Sequence, residues 1–142
     1  MTRDSIVRAS WWGTAVFGAT AVAGAAAPHP LAPVALVIAA AMFVVGCVLL
    51  LRSLVLAAAR SRTDEIAVSN LYLLSGAPAA VRARLFGSLA VEVIVAFGTA
   101  AARPYTIAAT AILAPLYGLG LCGLWAARYG TFPPRRPTPK RR

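Results

Sequence analysis

Residues 34–58 read VALVIAAAMFVVGCVLLLRSLVLAA, an apolar run interrupted by one charged residue, Arg52. A helix rises about 1.5 Å per residue, so about 20 apolar residues cross the hydrocarbon core of a bilayer. The run lacks the alternating pattern of a barrel strand, and an open sheet edge would leave backbone groups unpaired in lipid. It therefore predicts a membrane-spanning helix.

The composition extends this prediction to the whole chain. Of the 142 residues, 60% are hydrophobic and only 13% are charged, and the mean hydropathy is +0.76. These values lie outside the range of soluble globular domains. Three further apolar segments occupy residues 11–27, 85–101 and 105–127. We therefore predict an all-α, polytopic membrane protein with four transmembrane helices in one domain, residues 1–127, and a basic, proline-rich tail, residues 128–142.

The first apolar segment has two interpretations. It follows Arg3 and Arg8 and ends in AVAGAAAP, which imitates the cleavage region of a secretory signal peptide. Trp11 and Trp12 lie where an interfacial aromatic belt is expected, which favours a retained helix. We expect transmembrane helix 1, with a cleaved signal peptide as the alternative.

Positive charge along the chain predicts the orientation of the helices. Two arginines precede the first helix, four lie between helices 2 and 3, and six basic residues lie from Arg128 onward. The two remaining loops, residues 28–33 and 102–104, contain only Arg103. Because cytoplasmic loops are enriched in Lys and Arg, we expect both termini to be cytoplasmic, in a bacterial plasma membrane.

Residues 64–75 connect helices 2 and 3 and predict a short helix. Thr63 or Asp64 can cap its start, and Gly76 and Pro78 can end it. Its leucines and isoleucine supply apolar contacts. We expect a cytoplasmic helix at the membrane interface, or alternatively a connector packed on the bundle.

Glu92 is the only acidic residue within a predicted span. An ionisable group at the bilayer centre costs about 3 kcal/mol or more unless it is paired or protonated. Glu92 lies eight residues after Arg84, and Arg52 lies eight before Arg60, so both would lie at the same depth. This predicts an intramembrane Arg52–Glu92 ion pair; the alternatives are a proton or cation site at Glu92 and an Arg52 that snorkels to the interface alone.

Few residues could carry enzymatic chemistry. Cys47 and Cys122 lie within apolar runs, and His29 is the single histidine. None has the neighbours that a metal ligand or a catalytic base needs. We expect no catalytic residue, no metal and no cofactor, and therefore not an enzyme. Nucleic acid is not an expected partner, since no aromatic residues are interleaved with the basic ones.

Residues 117–125 read YGLGLCGLW, in which Gly118, Gly120 and Gly123 spell G-x-G-x-x-G. A dinucleotide site needs a preceding strand and an acidic residue about 20 positions later. No acidic residue follows this stretch. We interpret it as the small-residue face of helix 4, where these glycines and Cys122 admit a neighbouring helix closely.

The basic tail begins directly after helix 4, and its prolines prevent a regular helix. A juxtamembrane cation gains about 1 kcal/mol near an anionic leaflet. We expect the terminal charges either to contact anionic lipid headgroups or to act only as topology anchors. These charges are Arg135, Arg136, Lys140, Arg141 and Arg142.

Two runs of the sequence resemble parts of other proteins: DEIAVSNLYLLSG (64–76) and YGLGLCGLWAARYGTFPP (117–134). They resemble stretches of uncharacterised small integral membrane proteins of actinobacteria, including mycobacteria. The resemblance implies a four-helix plasma-membrane protein, and it implies no activity, cofactor or catalytic residue.

Two functions follow as expectations. Small residues at helical spacing, such as Gly98 and Ala102, allow close helix contact, and they favour an interaction or accessory component of the cell envelope. Its partners would be membrane lipids and either another membrane protein or a second copy of the chain. The alternative is a small oligomeric transporter that uses Glu92, since four short helices with one membrane carboxylate resemble the small multidrug resistance architecture. Those proteins have their glutamate in the first helix, whereas Glu92 lies in the third.

Overall fold

The computed structural model describes residues 2–135, except for the side chains of Pro28, Pro30 and Ala108. Within this range the chain is helical and forms no strand. The elements are α1 (Arg3–Ala26), α2 (Pro28–Arg60), α3 (Val68–Tyr72), α4 (Ala79–Ala102), a 3₁₀ helix (Ile107–Leu113) and α5 (Pro115–Tyr129). The all-α prediction is confirmed for these residues.

Three helical stretches of the described chain are long and apolar enough to cross a membrane. They are Leu31–Arg60, Ala79–Ala102 and Ala109–Tyr129. The structure therefore indicates a membrane protein. Helix α1 has 24 residues, which is a sufficient length, but it is rich in alanine, glycine and threonine and is not among the three. The predicted count of four spans thus depends on α1.

Helices α1 and α4 run in the same direction and pack along one seam. Ser10 contacts Ser88, and Thr14 contacts Glu92, so both pairs are 78 residues apart in sequence. The buried residues of each helix recur at intervals of three and four, the spacing at which side chains share one helix face. In α1 they are Ile6, Ser10, Thr14, Phe17, Ala21 and Gly24, and in α4 they are Leu85, Ser88, Glu92, Ala96 and Thr99.

Helix α5 is the centre of the bundle, and α2 lies at its edge. In the 18-residue apolar window that overlaps α5, 56% of the residues are buried, whereas in the corresponding window of α2 only 17% are. Glycines bring the two helices together: a Cβ added to Gly120 would lie 2.9 Å from the carbonyl oxygen of Gly46. This contact fixes α5 against α2 and leaves most of α2 facing outward.

Most charged residues collect at one end of the bundle, which we call the basic end. The first turns of α1 and α4 and the last turns of α2 and α5 meet there: the guanidinium of Arg3 lies over the ring of Tyr129, and Ala57, Val81 and Ala127 belong to one apolar cluster. Arg60 links the ends of α2 and α5, since it donates to the carbonyls of Ala127 and Gly130 at 2.9 and 3.1 Å and pairs with Asp64 at 3.0 Å. Unpaired carbonyls at a helix C-terminus are thereby satisfied.

The prediction of a loop at residues 28–33 is wrong. These residues form the first turns of α2, and Ala27 alone separates α1 from α2. Proline is compatible with a first helical turn because the N–H groups there have no intrahelical acceptor. His29 consequently lies on a helix and is exposed.

The predicted helix at residues 105–127 is interrupted. Tyr105 has a φ of 62°, in the left-handed region, so it cannot begin a right-handed helix. A 3₁₀ helix follows, and the α-helix starts at Pro115, whose ring excludes an i→i−4 hydrogen bond. The break places the first turn of α5 inside the bundle.

The segment predicted as a helix at 64–75 is helical only at Val68–Tyr72. Its start is extended because it pairs with the beginning of the tail: Glu65 donates its N–H to the carbonyl of Pro133 at 2.9 Å. Leu71 and Leu74 are fully buried, whereas Val68 and Leu73 are exposed. One side of the segment thus packs on the bundle while the other remains open.

Candidate functional site

Glu92 lies where α1, α4 and α5 meet, and its side chain has no exposed surface. It forms a polar layer with Ser10, Thr14 and Ser88 from the α1–α4 seam. An apolar cluster that includes Ile6, Leu85 and Leu121 lies on the basic side of this layer, and one that includes Phe17, Ala96 and Ala114 lies on the other. The carboxyl group is therefore enclosed within the bundle.

Two donors from different helices hold the carboxyl group. Thr14 Oγ1 lies 2.8 Å from Oε1, and the backbone N–H of Gly118 lies 3.2 Å from Oε2. Gly118 lies in the first turn of α5, where the helix dipole favours negative charge. A Cβ at this position would lie 2.5 Å from Oε2, so any other residue would displace the carboxyl group from its present position. Gly118 is thus a binding residue for Glu92 as well as a packing residue.

The hydroxyl of Thr14 has one proton and two oxygen neighbours. Besides Glu92, it lies 2.9 Å from the carbonyl oxygen of Ser10. When Glu92 is ionised, Thr14 can donate to the carboxylate. When Glu92 is protonated, the acid can donate to Thr14, whose own proton then goes to the Ser10 carbonyl. The same heavy-atom positions therefore fit both protonation states of Glu92.

The hydroxyl groups near Glu92 also have hydrogen-bond partners. The hydroxyls of Ser10 and Ser88 are hydrogen-bonded to each other, and Ser88 also lies 2.9 Å from the carbonyl of Leu85. The hydroxyl of Tyr117 donates to the carbonyl of Ala9 at 2.9 Å, and this bond links α5 to α1 beside the polar layer. These bonds across helices are expected to specify how α1, α4 and α5 pack.

The structure does not bring Arg52 and Glu92 together. Arg52 is exposed on the outer face of α2, while Ser53 beside it is buried. Among residues 2–135 the ion pair present is Arg60–Asp64. The pairing hypothesis used helix depth alone, and the contact between α2 and α5 turns Arg52 away from the bundle. Glu92 is held by neutral donors instead.

The small residues of α5 are buried at helix contacts. Gly120 faces Gly46 and Leu49 of α2, and a Cβ at Gly123 would lie 2.8 Å from the hydroxyl of Ser53. Cys122 is fully buried in the apolar cluster on the basic side. Gly118 differs from the other three because its neighbour is the carboxyl group of Glu92.

The predicted lipid-contacting residues fall largely outside the described chain. Arg136, Lys140, Arg141 and Arg142 lie beyond residue 135. Arg135 is bound to the protein: its guanidinium donates to the carbonyl of Ser61 at 3.0 Å, and its N–H donates to that of Thr63 at 2.9 Å. Prolines lacking N–H groups leave this part of the tail extended, and it pairs with the chain after α2.

Sequence reasoning missed Ser10, Thr14 and Ser88 as neighbours of Glu92. A signal was present, since Ser10 and Thr14 are four residues apart, as are Ser88 and Glu92. Polar residues at i and i+4 share a helix face, and two such pairs in two apolar helices can face each other. Their equal spacing fits either helix direction, and the contacts Ser10–Ser88 and Thr14–Glu92 show that the two helices are parallel.

The comparisons with known proteins add no relative. No protein-family model, curated protein or solved structure matches the chain.

Proposed function

We propose that this chain is a small accessory protein of a bacterial plasma membrane, of the actinobacterial type, which binds another membrane protein through the outer face of α2. Four helices cross the membrane, with α1 retained as the first span. Two features support this count: α1 contributes Thr14 to the enclosed site, and the buried face of α1 extends from Ile6 to Gly24, almost the whole length of that helix.

The distribution of charge supports cytoplasmic termini. Most arginines among residues 2–135 lie at the basic end, whereas Arg103 lies at the opposite end. Positive charge favours the cytoplasmic side, so the basic end faces the cytoplasm. The exposed side chains of Val68 and Leu73 then lie at the cytoplasmic interface, where α3 contacts the headgroup region.

The observation that carries the interaction role is the position of Arg52. It lies on an exposed apolar face of α2 formed by valines and one leucine, and it is eight residues from the helix end at Arg60. The exposed residues of this face are Val37, Val44, Val48, Leu51 and Val55. Within residues 2–135 no acidic side chain pairs with Arg52. An unpaired guanidinium inside hydrocarbon costs free energy, so we expect a partner to cover this face.

The partner that fits is a transmembrane helix with a carboxylate at the depth of Arg52. Such a helix would bury the apolar face and neutralise the guanidinium by a bidentate hydrogen bond. A second copy of the chain fits less well, because a symmetric pair through this face would oppose one Arg52 to another. The occupant is therefore a different protein.

Photocrosslinking in native membranes tests the interaction. We expect p-benzoylphenylalanine at Val48 or Val55 to form one discrete protein adduct, and the same group at Ile94, an equally exposed site on α4, not to form it. Arg52→Glu should reduce the adduct by about tenfold or more, since it opposes two carboxylates in a low dielectric. An acidic-to-arginine change in the partner should restore it.

The controls separate a partner from the surrounding lipid. Arg52→Lys keeps the charge and should retain most of the adduct. Equal crosslinking from Val48 and Ile94, or an adduct that is unchanged in Arg52→Glu, would show that the α2 face contacts only lipid and that Arg52 snorkels.

A second candidate function is transport that uses Glu92 as a proton or cation site. The geometry that favours it is the Thr14 hydroxyl, which can hydrogen-bond Glu92 in either protonation state. The enclosure of Glu92 argues against transport, because the carboxyl group has no exposed surface that a solute could reach.

Proteoliposomes that contain a pH-sensitive dye distinguish this candidate. A transporter should move protons down an imposed gradient, and Glu92→Gln should lower the rate to that of empty liposomes while Arg52→Gln leaves it unchanged. Wild-type flux no higher than that of empty liposomes would remove the candidate.

A further inference from the structure

A groove of about 690 Å³ opens between α1 and α4 at the basic end. Its lining combines apolar side chains with two guanidinium groups, and it is distinct from the outer face of α2. The lining residues are Val7, Arg8, Trp11, Trp12, Ala15 and Arg84.

The apolar part of the groove consists mainly of two tryptophans. Trp11 is 44% exposed and Trp12 is 68% exposed. Trp11 lies beside Gly87 of α4: a Cβ on Gly87 would be in van der Waals contact with the Trp11 ring, at 3.7 Å. Tryptophan favours the membrane interface, where its ring is in contact with acyl chains and its N–H with headgroups.

The polar part of the groove has unbalanced positive charge. Arg8 and Arg84 are both exposed, and neither forms an ion pair with any residue of the described chain. Asp4 lies one turn before Arg8 on α1 but is not within ion-pair distance of it. Two guanidinium groups that line one cavity form a site for an oxyanion, since each can donate two parallel hydrogen bonds.

We propose that this groove binds one anionic phospholipid, with its phosphate between Arg8 and Arg84 and its acyl chains along Trp11 and Trp12. The combination of charge and apolar surface distinguishes this occupant from a soluble anion. The site depends on insertion in a bilayer and not on the proposed partner of α2. It also differs from the basic tail, which belongs to another part of the chain.

Fluorescence quenching by brominated lipids tests the site in the full-length protein. Trp11 and Trp12 are exposed, whereas Trp125 is buried. In vesicles of phosphatidylcholine with increasing brominated phosphatidylglycerol, we expect quenching at lower mole fractions than with brominated phosphatidylcholine. We expect a preference of about thirtyfold, given two cations near the phosphate. Arg8→Gln/Arg84→Gln should remove this preference.

Three control variants test whether the lipid preference depends on Arg8 and Arg84. Arg52→Gln removes an arginine outside the groove, and truncation after Arg135 removes four tail charges; both should retain the preference. Arg8→Lys/Arg84→Lys keeps the charge without the bidentate geometry and should retain part of it. Circular dichroism verifies that each variant remains helical.

Two results would overturn the proposal. One is an equal preference for phosphatidylglycerol in the wild type and in Arg8→Gln/Arg84→Gln. The other is complete relief of quenching by millimolar glycerol phosphate, which would show that the groove binds a free phosphate ester and not a lipid.

Discussion

Glu92→Lys is expected to prevent assembly of the bundle, whereas Glu92→Gln should leave it close to the wild type. A lysine here would direct an ammonium group at the N–H of Gly118 and at the positive end of α5. An uncompensated buried charge costs about 3 to 5 kcal/mol, a large fraction of the roughly 5 to 15 kcal/mol by which a folded domain is stable. The enclosed position leaves no route for the ammonium to reach water.

Glutamine fits because it can copy the hydrogen bonds of a protonated carboxyl group. Its carbonyl oxygen can accept from the N–H of Gly118, and its amide can donate to Thr14, whose proton then goes to the carbonyl of Ser10. Hydrogen bonds between membrane helices contribute about 0.6 kcal/mol on average, so the loss should be less than about 1 kcal/mol.

Size-exclusion chromatography and thermal unfolding in mild detergent measure both variants. We expect Glu92→Lys to elute as aggregate or to lose cooperative unfolding, and Glu92→Gln to unfold within a few degrees of the wild type. A lysine variant as stable as the wild type would contradict the enclosed arrangement.

Gly120→Leu should separate α5 from α2 at a cost of about 3 kcal/mol. A Cβ at this position would lie 2.9 Å from both the carbonyl oxygen of Gly46 and the Cβ of Leu49. These atoms belong to the backbone or adjoin it, so they cannot move aside by a change of rotamer. Gly46→Leu should have the same effect, because a Cβ there would lie 2.6 Å from the backbone of Leu116.

Gly98→Leu provides the matched control for this substitution. A Cβ at Gly98 meets nothing within 4 Å, and the same holds for Gly18. Both glycines lie in helices, so leucine there should change stability by less than about 1 kcal/mol. Titration from dodecyl maltoside into sodium dodecyl sulfate, followed by circular dichroism, compares the variants. Equal loss in Gly120→Leu and Gly98→Leu would show that the α2–α5 contact does not depend on glycine.

The sequence predicted the positions of the apolar segments well, and it predicted the structure of the connections between them poorly. The run at 34–58 is the interior of α2, but the residues before it continue the helix because prolines are tolerated in a first turn. The run at 105–127 contains Pro115, and only the structure shows that the chain forms a 3₁₀ helix before that residue. Helix ends depend on local backbone geometry, which hydropathy does not report.

The candidate site was identified only in part. Glu92 is recognisable from the sequence because a carboxyl group in an apolar helix is rare. Its neighbours were not, since Thr14 lies 78 residues away and Gly118 contributes a backbone N–H rather than a side chain. Arg52, which lies at a plausible depth, faces the opposite direction.

The sequence by itself determined that the chain forms long apolar helices, where its charges lie along them, and that Glu92 is an exception within them. Only the tertiary structure decided which face of each helix is enclosed. In a water-soluble protein, apolar residues mark the inner face of a helix. In a membrane, the lipid-facing side is as apolar as the core, so hydropathy cannot distinguish the two. Close contacts at glycines and a few hydrogen bonds across helices determine which face of each helix is enclosed. As a result, Glu92 points inward and Arg52 points outward.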